Sequence, residues 1–66
     1  MTVKDFVKLN NDGSMFELVD ASKVGYIAHP DILTCADKNV VAKEYGEKEV
    51  IGFAIKSRII LTLYIK

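Results

Sequence analysis

The first residues of the chain show a hydrophobic spacing that is typical of a helix. Val3, Phe6 and Val7 recur at intervals of three and four residues, which places them on one helical face. A T-x-x-D capping-box pattern comes directly before them. The run N-N-D-G at 10–13 is typical of a helix end, since Gly and Asn accept positive φ. The pattern therefore predicts a helix over about residues 2–10.

Two β-rich runs follow this helix. Alternation over 14–20 places Phe16 and Leu18 on one side of a strand. Residues 24–28 are predicted to form a second strand in a hairpin with the first. Pro30 ends that strand, because it has no N–H to donate to a ladder.

The pattern over residues 29–46 leaves helix, strand and loop open. We prefer a short helix over 38–45, with Asp31 or Asp37 as its N-terminal cap and Gly46 as its C-terminal cap. A strand over 39–45 is the alternative, because Val40, Val41 and Tyr45 have high β propensity.

The last third of the chain predicts a β-hairpin, with strands over 49–55 and 59–66. Pairing Ile55 with Ile59 gathers the large apolar side chains on one face. That first face carries Ile51, Phe53, Ile55, Ile59, Leu61 and Leu63. The second face carries Val50, Gly52, Ala54, Ile60, Thr62 and Tyr64.

Together these elements predict a single α+β domain over residues 1–66. The predicted chain order is α-β-β-α-β-β. Two hairpins favour an antiparallel four-stranded sheet, with the helices packed on one face.

Composition narrows the function classes. A chain of 66 residues has a small core, and its one cysteine excludes an intramolecular disulfide, so self-association or a larger partner is the expected support. Nine Lys and Arg balance nine Asp and Glu, whereas a dedicated nucleic-acid binder usually has a basic excess. The start lacks a signal-peptide h-region, and the longest apolar run is too short to span a bilayer, so the cytoplasm is the expected location.

Four segments carry a resemblance to a group of proteins. They are TVKDF at 2–6, FELVD at 16–20, EYGEKEVI at 44–51 and ILTLYI at 60–65. In these segments the chain resembles small uncharacterised α+β proteins of prophages and mobile elements of Gram-positive bacteria. The resemblance implies an accessory protein that acts by binding a host or phage protein, with inhibition of a defence system as one such role. It supplies no catalytic residues.

Catalytic and metal chemistry find little basis in the sequence. His29 is the only histidine and lies before Pro30, and Cys35 has no C-x-x-C partner. We interpret them as a loop residue and a small packing residue. A metal set of His29, Asp31, Cys35 and Asp37 matches no established spacing. The expectation is a non-enzymatic protein with no catalytic residue, metal or cofactor.

The second face of the last hairpin is the predicted interaction surface, because it is too apolar to be freely solvated. Val50, Ile60, Thr62 and Tyr64 are its interface candidates. Three accounts of its cover stay open: the domain's own helices, a homodimer, or another protein.

Nucleic-acid association is the alternative function. Lys56, Arg58 and Lys66 lie near the ends of the last hairpin and are the candidate contacts with phosphate. Acidic residues are interspersed among the basic ones, which argues for ordinary solvated charge. No membrane partner is expected.

Overall fold

The computed structural model describes residues 1–9 and 15–66, which form two helices and four strands. In chain order these are α1 (Val3–Lys8), β1 (Met15–Asp20), β2 (Ile32–Asp37), α2 (Lys38–Tyr45), β3 (Val50–Ile55) and β4 (Ile60–Ile65). The predicted helix end at 10–13, and the first residue of the strand predicted over 14–20, lie outside the described residues.

Side-chain caps fix the starts of both helices. The Thr2 hydroxyl accepts from the Asp5 N–H at 3.3 Å, and the Asp5 carboxylate accepts from the Thr2 N–H at 3.5 Å, so the predicted capping box is confirmed. Asp37 caps α2, because one of its oxygens accepts from the N–H groups of Asn39 and Val40 at 3.0 Å each. The helix over 38–45 is confirmed and the strand alternative is wrong.

The sheet is mixed rather than purely antiparallel. Its strands lie in the order β2-β1-β4-β3, and β1 runs parallel to β4. The other two pairs, β1 with β2 and β3 with β4, are antiparallel. The predicted antiparallel sheet is therefore wrong in its central pair. Strands that are neighbours in the chain, β1 with β2 and β3 with β4, pair antiparallel as predicted. The helix α2 connects β2 to β3, and the two strand pairs are joined in the sheet by the parallel contact of β1 with β4.

The second strand lies later in the chain than predicted. Residues 24–28 form turns, and Gly25 has a φ of +76°, which an extended strand does not adopt. The His29 N–H donates to the Gly25 carbonyl at 2.8 Å, which closes a helical turn there. The strand that pairs with β1 is Ile32–Asp37, which begins after Pro30.

The register of the last hairpin differs from the prediction by two residues. Phe53 pairs with Leu63 and Ile55 with Leu61, so these four side chains do share one face of the sheet. The pairing shifts because Ile59 belongs to the turn, which closes through a 3.0 Å hydrogen bond from the Lys56 N–H to the Ile60 carbonyl.

A bulge moves one candidate residue to the other face. The register of β3 shifts between Val50 and Gly52, and Val50 pairs with the buried Ile65. Val50 is consequently half-buried against the core, and its predicted place beside Gly52 and Ala54 on the second face is wrong.

Both helices pack on one face of the sheet. Val3 and Val7 of α1 and Val41 of α2 are buried against the central pair of strands, β1 and β4. The core cluster consists of Val3, Val7, Phe16, Leu18, Val41, Leu63 and Ile65.

The Asp37 cap generates a stability prediction. Asp37→Ala removes the acceptor for two N–H groups at the start of α2, so it should lower the free energy of unfolding by about 1 kcal/mol. Glu44→Ala, at an exposed position of the same helix, is the control and should change it little. Urea unfolding followed by circular dichroism measures both. Equal midpoints for the two variants would contradict the role of the cap.

Candidate interaction surface

Large apolar side chains of β3 lie exposed on the helix side of the sheet. Phe53 is 59% exposed and Ile55 is 75% exposed, although their pairing partner Leu63 is fully buried. Phe6 of α1 is the aromatic ring that reaches this strand, with its centroid 5.4 Å from that of Phe53. The four side chains Phe6, Phe53, Ile55 and Leu61 are called the β3 surface below.

The short helices explain why this surface is left open. A six-residue helix is about 9 Å long and an eight-residue helix about 12 Å, whereas six-residue strands extend about 20 Å. α2 packs against β1 and β2, at the opposite edge of the sheet from β3. The helices therefore bury the central strands and leave the outer part of the last hairpin uncovered.

Among residues 1–9 and 15–66, the outer side of β3 after Val50 has no backbone pairing partner. β3 is an edge strand, bonded to β4 on one side. Opposite residues of an antiparallel pair alternate between hydrogen-bonded and non-hydrogen-bonded pairs. The hydrogen bond from the Lys56 N–H to the Ile60 carbonyl shows that Lys56 and Ile60 form a hydrogen-bonded pair. Ala54 therefore bonds to Thr62, while the N–H and C=O groups of Phe53 and Ile55 point away from β4. The exposed side chains and the free backbone groups belong to the same two residues.

The N-terminal segment covers the beginning of this edge. The Met1 carbonyl accepts from the Val50 N–H at 2.8 Å, and Thr2 forms an isolated antiparallel bridge with Glu49. The Met1 ammonium also pairs with the Glu49 carboxylate at 2.8 Å. The open part of the edge thus begins after Val50.

The second face of the sheet is covered in part by the chain itself. Tyr26, in the connection between β1 and β2, packs on Tyr64 with ring centroids 5.3 Å apart. Ile60 and Tyr64 are half-buried, and Thr62 is 6% exposed. Three of the predicted interface residues, Ile60, Thr62 and Tyr64, are therefore less exposed than Phe53 and Ile55. The sequence pattern separated the two faces but did not show which one the chain would cover.

A buried carboxylate lies at the centre of this second face. Glu17 is 6% exposed and accepts from the Thr62 hydroxyl at 3.2 Å and from the Lys56 ammonium at 2.5 Å. The hydrogen bond to Glu17, with the attraction of its charge, raises the pKa of Lys56 above the ordinary 10.5. Both oxygens of the carboxylate are thus paired, as burial of a charge requires.

The three basic residues of the alternative function do not come together. Lys56 is held by Glu17, and Arg58 is exposed in the β3–β4 turn. Lys66 follows the far end of β4, where its N–H donates to the Glu49 carbonyl at 3.0 Å. Lys56 and Arg58 lie at one end of the six-residue strand β4, and Lys66 lies at the other end, about 20 Å away.

His29 and Cys35 are both exposed and lie in different parts of the fold. His29 follows a turn of the β1–β2 connection, and Cys35 lies in the edge strand β2 opposite Glu17. Within residues 1–9 and 15–66, no group of three or more His, Cys, Asp or Glu side chains is placed to hold a metal ion. Among the same residues, no helix has the length and apolarity to cross a membrane.

Two open cavities lie elsewhere on the described surface. One, of about 270 Å³, lies between the helices and is lined by Lys4, Val7, Lys8, Lys38, Asn39 and Ala42. The other, of about 450 Å³, is lined by Asp20, Ser22, Leu33, Tyr45, Lys48, Ile65 and Lys66. The Ser22 hydroxyl in the second cavity donates to Asp20 at 2.6 Å and lowers the pKa of that carboxyl. A hydrogen bond of this kind, between side chains two residues apart, is typical of a turn. Neither cavity includes His29 or Cys35.

The Lys56 contact generates a pH-dependent prediction. Lys56→Met leaves the buried Glu17 without its cation, so it should lower the melting temperature at neutral pH by several degrees. The raised pKa of Lys56 means that the pair stabilises the fold below the ordinary 10.5, and that this contribution is lost as pH rises through the higher folded value.

The matched control is Lys43→Met, an exposed position on α2. Thermal melts from pH 7 to pH 11 should show a gap between native protein and Lys56→Met that narrows at the alkaline end, and no such gap for Lys43→Met. A gap of constant size across that range would show that the ion pair is not its cause.

Comparisons with family models, with curated proteins and with solved structures each gave no significant match to this chain. The fold therefore brings no relative from which a function could be transferred.

Proposed function

We propose that this chain is a non-enzymatic protein-interaction module that binds a protein partner through the β3 surface. The resemblance to prophage and mobile-element proteins suggests the setting, in which an accessory protein acts by binding a host or phage protein. Inhibition of a host defence system is one role of that kind.

The observation that carries the proposal is the coincidence of exposed side chains and an open strand edge. Phe53 and Ile55 expose most of their apolar surface and also direct their backbone N–H and C=O groups outward. Leaving large apolar side chains in water forgoes about 1.5–3 kcal/mol each, which burial under a partner would recover. An added strand gains backbone hydrogen bonds at the same place.

The chemistry of the rest of the described surface supports binding rather than catalysis. The buried Glu17 has both oxygens paired with Thr62 and Lys56, so it is arranged as a structural ion pair. His29 and Cys35 are exposed, apart from each other and outside both cavities. A nucleophile, a base and an orienting group within hydrogen-bond reach, as covalent catalysis needs, are not found together among these residues.

Nucleic-acid association stays the second candidate. It gains no support from the positions of Lys56, Arg58 and Lys66, because one is engaged by Glu17 and the last lies at the far end of the hairpin. A basic surface that follows a phosphate backbone would need them on one side.

The test of the proposal replaces the two exposed side chains of β3. Phe53→Ser with Ile55→Ser should abolish retention of partner proteins from the native host, because it removes the apolar contact while keeping an edge-strand backbone. The fold should persist, since both side chains are mostly exposed. Partners that depend on these residues are then purified and titrated against the chain by calorimetry.

The matched control is Val24→Ser with Ile27→Ser, two exposed apolar residues in the β1–β2 connection. This variant should retain the same partners as the native chain. If the β3 double variant is folded by circular dichroism and still binds every partner of the native chain, the β3 surface is not the binding site.

A further inference from the structure

We propose that the outer edge of β3 pairs antiparallel with β3 of a second copy, joining two four-stranded sheets into one of eight strands. This inference rests on the proposed function, because it uses the same β3 surface and names what occupies that surface when no other protein is bound. The proposed partner is the chain itself.

The composition of the edge favours pairing over protection. Edge strands are usually blunted by charges or proline, yet all six residues of Val50–Ile55 are apolar or glycine. The other edge strand, Ile32–Asp37, carries Thr34 and Asp37 and continues from Pro30 and Asp31. β3 is thus the less protected of the two edges.

The geometry of β3 selects one register. A two-fold axis requires that the same residues meet from both sides. Phe53 and Ile55 are the residues whose backbone groups point outward, so Phe53 pairs with Ile55 of the partner subunit, and the reverse pair forms by symmetry. Ala54 then meets Ala54 of the partner subunit on the axis. In this register, Phe53 and Ile55 of both copies form four N–H to C=O hydrogen bonds across the new strand pair.

The side chains fit the same register. Phe53 and Ile55 lie on one face of the sheet, so each aromatic ring meets an isoleucine across the new strand pair. Ala54 lies on the other face, and its small side chain suits the close approach of a non-hydrogen-bonded pair, where Cα atoms are about 4.5 Å apart. The two most exposed side chains of the strand thereby cover each other.

Charge and chain ends agree with an antiparallel arrangement. Arg58, beyond one end of β3, forms no ion pair among the described residues. The antiparallel register brings it towards the other end of the partner's strand, where Glu47 and Glu49 lie beside Lys4 and the Met1 ammonium, their ion-pair partners within the chain. The Met1 segment covers that end up to Val50, which limits the pairing to the residues after it. The net charge of zero does not oppose self-association.

Disulfide trapping tests the register. In a Cys35→Ala background, Ala54→Cys should be cross-linked to its counterpart under mild oxidation, because Cα atoms about 4.5 Å apart are within disulfide range. Ile55→Cys in the same background is the matched control. Its counterpart lies about 8 Å away, two residues along the partner strand, so it should be cross-linked poorly.

Sedimentation equilibrium of the purified chain tests the association itself. The native chain should form a closed dimer. Ile55→Pro removes an outward N–H without removing a bond to β4, so it should weaken the dimer by about tenfold or more while the monomer stays folded. Phe53→Ser with Ile55→Ser should weaken it as well, and Val24→Ser with Ile27→Ser should not.

The outcomes separate this inference from the proposed function. A native chain that stays monomeric at millimolar concentration, an open-ended assembly, or faster cross-linking of Ile55→Cys than of Ala54→Cys would each overturn the β3 dimer. A monomer whose β3 surface still retains a host protein would keep the proposed function. A dimer by this register whose β3 double variant retains every host partner would keep the dimer and remove the proposed function.

Discussion

The central constraint on this fold is the packing of two short helices against the parallel pair of β1 and β4. Phe16 and Leu18 from β1 and Leu63 and Ile65 from β4 are buried under the helices, and the core is built around them. Helices of six and eight residues lack the length to cover a sheet of four strands. What they leave uncovered is the outer part of the last hairpin, and the proposed function depends on that part.

Local signals predicted the local structure well. The capping box at Thr2, the cap at Asp37 and the helix ending at Gly46 are each made by side chains or backbone close in sequence. The common face of Phe53 and Leu63 also follows from a period of two, which persists when the register shifts by two residues. The shift arises because Ile59, an apolar β-branched residue, belongs to the turn rather than to the strand.

The pairing of strands that are distant in the chain could not be predicted from the hydrophobic pattern. Residues 24–28 have β propensity, but the positive φ of Gly25 and the turn up to His29 compete with a strand there. The parallel pairing of β1 with β4 joins residues 45 positions apart, such as Glu17 and Thr62, and no local spacing encodes it. The bulge that turns Val50 towards the core lies beside Gly52, a residue type that often marks a bulge, but the residue types do not show which side chain the bulge moves to the other face.

The candidate surface shows the same limit. A strand pattern divides side chains into two faces, but the cover on each face is set by distant segments. Tyr26, from the connection after β1, packs on Tyr64, and the Lys56 ammonium reaches the buried Glu17, so the face predicted to bind is partly closed. The first face of the last hairpin is exposed at Phe53 and Ile55, because helices of six and eight residues are too short to cover it.

Amide hydrogen exchange resolved by residue tests the open edge most directly. In dilute solution, the amides of Phe53 and Ile55 should exchange fast while that of Ala54 between them is protected by its bond to β4. At high concentration, the first two should become protected as well. Protection of all three amides under conditions where sedimentation shows the chain to be a monomer would show that this edge is already covered within a single chain, and would contradict the account.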